Sequence, residues 1–269
     1  MILQAAPLNY TLSLAFIATY FSIAYFSISC AFTDTTNIYC SQLRGNNENS
    51  KVNLLLRQAM VLQFITFFIL CFGGTFVASY VLSWASVDPE VVYMTKMIGI
   101  SLSPAFICRN ITDIIKSLMQ VENMGMHVGM ATPGAILITI GVSYVLIYKL
   151  NFFLYSCSIS LLIYEALMLM TVISILFFKL DRKLLDCSIP VSKDFFWFIK
   201  ECCKTALCQI PSWIANEFVL IFIWMHHNKN HVAAYSVLNS AQLIIVNFSL
   251  GFVFIPIIQI NKLLGSRDF

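Results

Sequence analysis

The sequence predicts an all-α fold, that of a polytopic membrane protein with about seven transmembrane helices. Of its 269 residues, 59% are hydrophobic and 11% are charged, whereas soluble domains carry about 25% charged residues. Four uncharged runs exceed the roughly 20 residues that cross a bilayer: residues 11–33, 58–87, 123–148 and 232–261. Three further apolar runs contain internal charges: residues 91–120, 150–178 and 205–225.

Lysine and arginine collect in alternate loops, and this asymmetry predicts the orientation. The basic residues of the richer side are Arg44, Lys51, Arg57, those of segment 179–204, Lys262 and Arg267. The positive-inside rule predicts that this side is cytoplasmic and that the N-terminus lies on the opposite side. The first ten residues contain neither a signal peptide nor a span, so we expect a segment upstream. The pattern fits a plasma membrane, a vacuolar membrane or another endomembrane equally.

The one long loop divides the chain into two unequal parts. Residues 1–178 hold five spans and are predicted to form an incomplete N-terminal lobe. Residues 179–204 form a cytoplasmic linker and an interfacial helix, in which four consecutive aromatic residues lie at headgroup depth among lysines. Residues 205–269 hold two spans and begin a C-terminal lobe.

The first and last spans end in similar polar segments. FSISCAFTDTTNIYCSQLRGN begins at Phe26 and FSLGFVFIPIIQINKLLGSRD begins at Phe248, and both contain Leu-x-Gly near the end. Transporters are often built from repeated halves with the substrate path between them. If the last span repeats the first, a span precedes the first one and the second half continues beyond Phe269, so the repeat predicts a fragment of a longer chain.

Polar residues inside the spans are the candidate functional residues. Glu217 lies in mid-span, where an ionised carboxylate costs several kcal/mol unless it is paired, hydrated or protonated, and Trp213 and Asn216 share its helical face. Glu217 is therefore either a site for a proton or another cation, or a structural residue that forms a hydrogen bond to another helix. Asn239 and Gln242 share a face of the last span, where they either line a substrate cavity or join helices by hydrogen bonds.

A second group of charges lies in the third and fifth spans. Arg109, Asp113 and Lys116 follow one another at four and three residues, so they share a helical face and can neutralise one another. We interpret them as a structural ion network rather than a transport site. Glu165 has only apolar neighbours on its own helix, so it needs a partner on another helix, a proton or water. Arg109 is the candidate partner.

Other functional classes find little support in the sequence. The nine cysteines show no metal-ligand or disulfide spacing. The histidines of loop 226–231 could bind a metal, although an exposed polar loop explains them as well. Motifs of membrane enzymes are missing, and the basic residues are spread through loops rather than gathered as in nucleic-acid binders. A seven-helix receptor with an extracytoplasmic N-terminus remains the alternative to a transporter.

Several short motifs together resemble one known family. NIYCSQLRG (37–45) is similar to the signature that ends the second helix of the multidrug and toxic compound extrusion (MATE) transporters of eukaryotic type, with Asn37 where an acidic residue is usual. VDPEV (87–91), IPSWIANEFVLIF (210–222), VLNSA (237–241) and INKLLGS (260–266) resemble further family segments in the same order. The resemblance runs from the family's second to its eighth helix out of twelve.

The resemblance implies a function and roles for particular residues. The family's two lobes form a cavity, and protons or sodium ions are exchanged for organic cations or other amphiphiles, without an organic cofactor. Glu217 would then bind the coupling cation, although Ser212 stands where the family has a further glutamate. The implied cavity residues are Trp213, Asn216, Asn239 and Gln242, and the implied helix-end signature is Asn37, Gln42 and Gly45. The expected partners are a small-molecule substrate, a coupling cation, the bilayer and, if the chain is naturally this short, a second copy.

Overall fold

The structure, a computed structural model, describes residues 8–84, 86–150, 152–179, 193–226 and 229–266. All the regular structure in these residues is helical. The helices are α1 (Leu8–Ala24), α2 (Cys30–Gly45), α3 (Asn49–Phe68), α4 (Gly74–Trp84), α5 (Pro89–Val121), α6 (Gly125–Tyr144), α7 (Phe153–Lys179), α8 (Lys193–His226) and α9 (Lys229–Ser266). The prediction of an all-α, multi-span fold is confirmed.

Single π-helical turns join some of these helices into longer rods. The turn Tyr25–Ser29 connects α1 to α2, and the turn Ile69–Gly73 connects α3 to α4. The first rod has 37 residues from Asn9 to Gly45, or roughly 55 Å at 1.5 Å per residue. The hydrocarbon of a bilayer is only about 30 Å thick, so such a rod projects beyond it. In the described residues, five helical rods are long and apolar enough to cross a membrane.

Helix ends follow local sequence signals. Asp88 caps α5 by accepting a hydrogen bond from the main-chain N–H of Glu90 at 3.0 Å, and Pro89 occupies the first turn. Just beyond α2 and α5, Asn47 and Asn123 each take a φ of 60°. Asparagine tolerates this left-handed conformation better than most residues, so it ends both helices sharply.

The largest apolar cluster lies where α2, α3, α5 and α7 meet the first turns of α8. Its fully enclosed members include Leu56, Ile114, Met119, Val172 and Phe198. A second cluster around Phe21 and Phe67 joins α1, α3 and α5. The outer faces of α4 and α6 instead expose large apolar side chains, as a lipid-facing surface does.

Helix α8 includes residues 193–204 of the segment that was expected to hold an interfacial helix. It runs without a break from Lys193 to His226, because neither glycine nor proline occurs before Pro211 to interrupt it. Phe198 and Cys202 lie four residues apart on one face and are 0% exposed. The beginning of α8 therefore packs against the other helices, and its position at a membrane surface stays a prediction. Residues 180–192 of the expected linker lie outside the described residues.

Candidate functional site around α2

Helix α2 packs between α8 and α9 on one side and α3 and α5 on the other. Three polar contacts follow its length towards α8 and α9. Gln209 Nε2 donates to Asp34 Oδ2 at 3.0 Å, Thr35 Oγ1 donates to Thr205 Oγ1 at 3.1 Å, and Gln42 Nε2 donates to Asn261 Oδ1 at 3.5 Å. We call these six residues the α2 seam.

At the end of the seam, two glycines let α2 and α9 approach closely. A Cβ atom at Gly45 would collide with the main-chain carbonyl of Lys262, and one at Gly265 would collide with that of Gln42. Each glycine thus lies against the carbonyl three residues before the other glycine. Such a reciprocal pair of contacts is what a two-fold axis between two equivalent segments produces. We call residues 42–45 and 262–265 the collars.

The last turn of α5 holds both collars in place. Lys262 Nζ donates to the carbonyl of Val121, and Arg44 Nη2 lies 2.7 Å from Glu122 Oε2. The ends of α2, α5 and α9 therefore meet at one end of the molecule, which we call the collar end. This junction combines main-chain contacts and the Arg44–Glu122 ion pair with apolar packing, because Cys40, Val121 and Ile258 belong to the largest apolar cluster.

The same helices also meet at the opposite end. Leu12, Val87 and Val91 form a small apolar cluster against which Ile223 of α8 and Tyr235 of α9 pack. Close by, Asn9 Nδ2 donates to Glu90 Oε2 at 2.8 Å. Helices α8 and α9 thus contact the preceding helices at both ends.

The residues expected to line a cavity are only partly described. Asn239 is partly buried and Gln242 is exposed. The side chains of Ser212, Trp213, Asn216 and Glu217 lie outside the described residues, although the helix that carries them is described. Asn37 is buried in α2, and its Oδ1 has no hydrogen-bond partner within the described residues.

Helices α1, α5 and α7 bring together all four members of the expected charge network. Arg109 Nε lies 3.9 Å from Asp113 Oδ2 and 4.0 Å from Glu165 Oε1, and Lys116 Nζ lies 3.3 Å from Asp113 Oδ1. Tyr25, at the π-helical turn, donates to Asp113 Oδ2 and places its ring 4.1 Å from the Arg109 guanidinium carbon. The network contains two cations and two carboxylates, so its charges balance.

A fully buried polar triad lies beside this network and was not anticipated from the sequence. Gln63 Nε2 donates to Asn110 Oδ1 at 2.9 Å, Ser29 Oγ donates to the same oxygen, and Asn110 Nδ2 donates to the carbonyl of Phe106 at 2.6 Å. The three polar side chains are at most 1% exposed. The only signal of this triad in the sequence was a polar glutamine, Gln63, within an apolar run.

The described part of the chain has no group of three or more His, Cys, Asp and Glu side chains placed to hold a metal ion. Of the histidine loop proposed from the sequence, His227 lies outside the described residues, as does the side chain of His226. Among the described cysteines, all are free thiols.

Comparison with known proteins identifies the fold. No protein-family model matches the sequence, and no curated protein matches it. The crystal structure of a eukaryotic MATE transporter, AtDTX14, superposes with a TM-score of 0.80 at 16% identity, covering 95% of this chain and 57% of that one. An inward-facing multidrug resistance transporter of the MATE family, within the MOP superfamily, gives 0.69 at 15% identity, with coverage of 97% and 62%.

The chain spans less than two thirds of either solved transporter. Its long apolar helices and this superposition make it a multi-pass membrane protein. Over nearly its whole length, this chain has the fold of the MATE transporters.

Proposed function

We propose that this chain works as a transporter of MATE type, which exchanges protons or sodium ions for organic cations or other amphiphilic molecules. The fold supports this proposal, and the reciprocal contact between the collars carries it. Two equivalent helix ends, each with a glycine against the other's main chain, form a junction between two repeats. Alternating access in repeat-built transporters uses such junctions, as one repeat rocks against the other.

The junction has a composition suited to repeated opening. Across the α2 seam, each polar contact is a single hydrogen bond, and a typical hydrogen bond contributes about 0.5–1.5 kcal/mol net. Separation of α2 from α9 would expose these polar groups to water, which can satisfy them, together with the apolar side chain of Ile258. In the proposal, the collar end faces the cytoplasm and opens when α9 moves away from α2.

The proposal assigns roles to the residues named from the sequence. Glu217 binds the coupling cation, and Asn37, Gln42 and Gly45 act at the collar end. Arg109, Asp113, Lys116 and Glu165 hold α5 and α7 together as a balanced ion network. The proposed cavity residues are Trp213, Asn216, Asn239 and Gln242. A seven-helix receptor is the weaker alternative, since nothing in that architecture calls for two collars in reciprocal contact.

Transport by the purified chain in liposomes tests the proposal. Ethidium serves as the organic cation, and an imposed proton gradient or an imposed sodium gradient drives the exchange. We expect gradient-dependent ethidium movement that stops when an ionophore collapses the gradient. Failure of both gradients to move ethidium or a panel of other amphiphilic cations would contradict the proposal.

A matched pair of variants connects transport to the junction. Gly45→Ala places a methyl group against the carbonyl of Lys262, whereas Gly129→Ala adds the same group where nothing lies within 4 Å. We expect Gly45→Ala to slow transport roughly tenfold, which corresponds to about 1.4 kcal/mol. Gly129→Ala should transport at the original rate. Equal rates for the two variants would show that the collar contact has no part in the cycle.

A further inference from the structure

We propose that the α2 seam contains a site for a monovalent cation, a proton or a sodium ion, centred on the carboxylate of Asp34. The oxygens of Gln209, Thr35 and Thr205 complete the site. As a step in coupling, this site rests on the proposed function. As a binding site, it stands on the contacts of these four residues alone.

The first support is the missing counter-charge of Asp34. Three other described carboxylates have cationic neighbours: Asp113 has Lys116 at 3.3 Å, Glu165 has Arg109 at 4.0 Å, and Glu122 has Arg44 at 2.7 Å. The exposed Glu90 accepts a hydrogen bond from Asn9. Asp34 is partly buried, and no Lys, Arg or His within the described residues forms an ion pair with it. A carboxylate inside a membrane helix without a counter-charge needs a proton, water or a cation.

Several charged groups on neighbouring helices are engaged elsewhere. On α8, Lys204 lies 2.6 Å from Glu201, and on α3, Lys51 lies 2.8 Å from Glu48. On α9, Lys262 donates to the carbonyl of Val121. Arg109 and Lys116 of α5 belong to the balanced network with Asp113 and Glu165. On α2 itself, the Cys30 thiol is the titratable group one turn before Asp34.

The second support is an unused acceptor beside the carboxylate. Gln209 donates its amide N–H to Asp34, while its own Oε1 is buried and has no hydrogen-bond partner in the described residues. Leaving such an oxygen unsatisfied is costly. A protonated Asp34 could donate to this oxygen after a rotation of the amide, and a bound sodium ion could be coordinated by it. One positive charge therefore satisfies both the carboxylate and the amide.

The hydroxyl groups of the seam extend the set of oxygens. Thr35 and Thr205 lie beside the pair, with their Oγ1 atoms 3.1 Å apart. Carboxylate, amide carbonyl and hydroxyl oxygens are ligands for hard cations. In the proton case, a hydronium ion gives its proton to a carboxylate oxygen of Asp34 and leaves as water, so the site gains one positive charge in either case.

The position of the site makes its occupancy sensitive to the junction. Asp34 and Thr35 lie on α2, whereas Thr205 and Gln209 lie on α8, so the oxygens come together only while these helices are in contact. Any movement that separates the helices removes two of the four residues. By linkage, bound cation must then stabilise the closed arrangement by the same factor with which closure strengthens binding.

Infrared difference spectroscopy of the purified chain in nanodiscs tests the site without requiring transport. The signal is the carbonyl band of protonated carboxylic acids, recorded during a pH titration in choline chloride and again in sodium chloride. We expect one titrating component to disappear in Asp34→Asn and to persist in Glu48→Gln, whose carboxylate is exposed at the collar end. A component that falls when sodium replaces choline identifies sodium binding, and a component unaffected by sodium identifies a proton site.

Gln209→Leu supplies a second test in case Asp34→Asn fails to fold. It should move the midpoint of the Asp34 component, because the amide contacts that carboxyl group directly. Identical titrations and sodium responses in the original chain, Asp34→Asn and Gln209→Leu would overturn the site. If the original chain did not transport ethidium but still showed the infrared component of Asp34, the proposed function alone would be refuted.

Discussion

Gly45 of α2 lies directly against the main-chain carbonyl of Lys262 in α9, so position 45 has no room for a side chain. Gly265 stands in the same relation to Gln42. The similarity between the two helix ends in the sequence is therefore matched by a physical contact between them. The close approach at this point therefore depends on the two glycines, and the side chains of Arg44 and Lys262 add contacts to the end of α5.

The collar glycines and an exposed glycine should respond to alanine with opposite signs. Gly45→Ala forces the main chains of α2 and α9 apart, and overpacking of this kind costs typically 1–3 kcal/mol. Gly129→Ala meets no neighbouring atom within 4 Å and gains about 0.5–1 kcal/mol of helix stability. Thermal unfolding in detergent should show a lower Tm for the first variant and an equal or higher Tm for the second. A Tm that falls equally in both would contradict the close approach.

Removing Arg109 alone should destabilise the protein more than removing Arg109 together with its partner Glu165. Arg109→Met leaves Asp113 and Glu165 with Lys116 as the remaining cation. Breaking a fully buried pair costs typically about 3–5 kcal/mol, and the 36% exposure of the Arg109 side chain lowers that cost through solvent screening. The double variant Arg109→Met with Glu165→Gln removes one charge of each sign, so it should be more stable than Arg109→Met alone. Denaturant or thermal unfolding of Arg109→Met, Glu165→Gln and the double variant, each compared with the original chain, forms a double-mutant cycle. Strict additivity would show that Arg109 and Glu165 do not interact.

Two replacements of Tyr25 separate its two contacts. Tyr25→Phe keeps the ring beside Arg109 but loses the hydroxyl that donates to Asp113, and it should cost about 1 kcal/mol. Tyr25→Leu loses the cation–π contact as well, which contributes about 0.5–2 kcal/mol, and it also leaves a space. We expect Tm to decrease in the order original, Phe, Leu. Equal Tm values for the two variants would place the whole contribution in the hydroxyl.

Neighbouring cysteines of α8 should differ sharply in reactivity. Cys203 is exposed, whereas Cys202 is 0% exposed, and burial raises the pKa of the Cys202 thiol to about 12. Because the thiolate is the reactive form, a maleimide at pH 8 should modify Cys203 and leave Cys202 intact. Mass spectrometry of the digested protein measures both. Rapid modification of Cys202 in the folded protein would show that the beginning of α8 does not pack as described.

A maleimide that cannot cross the membrane tests the orientation of the chain in the membrane. By the positive-inside rule we expect the collar end, and the beginning of α8 with Cys203 that lies towards it, to face the cytoplasm. We expect labelling of Cys203 in inside-out vesicles and protection in intact cells. The reverse pattern would invert the proposed topology.

Hydropathy predicted seven spans, and the described helices form seven rods once π-helical turns join α1 to α2 and α3 to α4, but it underestimated the lengths of several rods. The first span was expected to cover residues 11–33, whereas the rod continues to Gly45. Its additional residues are polar because they lie at the seam and collar. A rule based on apolar length and hydrocarbon thickness does not detect such residues as helical. Their helical structure depends on packing against α8 and α9, and such distant contacts leave no local pattern in the sequence.

The candidate sites were likewise predicted only in part. Arg109 was predicted as a partner for Glu165 because a buried charge without local partners needs a distant one. Tyr25 gave no such signal, since a tyrosine in an aromatic-rich span is unremarkable, and its partner Asp113 lies 88 residues away. The buried triad of Ser29, Gln63 and Asn110 was missed for the same reason, because uncharged polar residues do not interrupt an apolar run.

The reciprocal collar contact also affects how freely this sequence can diverge. A contact between an α-carbon and a main-chain oxygen requires a glycine on one side, but it sets no requirement on the other residue's side chain. The close main-chain contact therefore tolerates replacement of Gln42 and Lys262 over evolutionary time, provided that Gly45 and Gly265 persist, although each of the two side chains also makes its own hydrogen bond. A junction encoded by so few positions can outlast most of the surrounding sequence, and two distant homologues could share it while sharing few other residues.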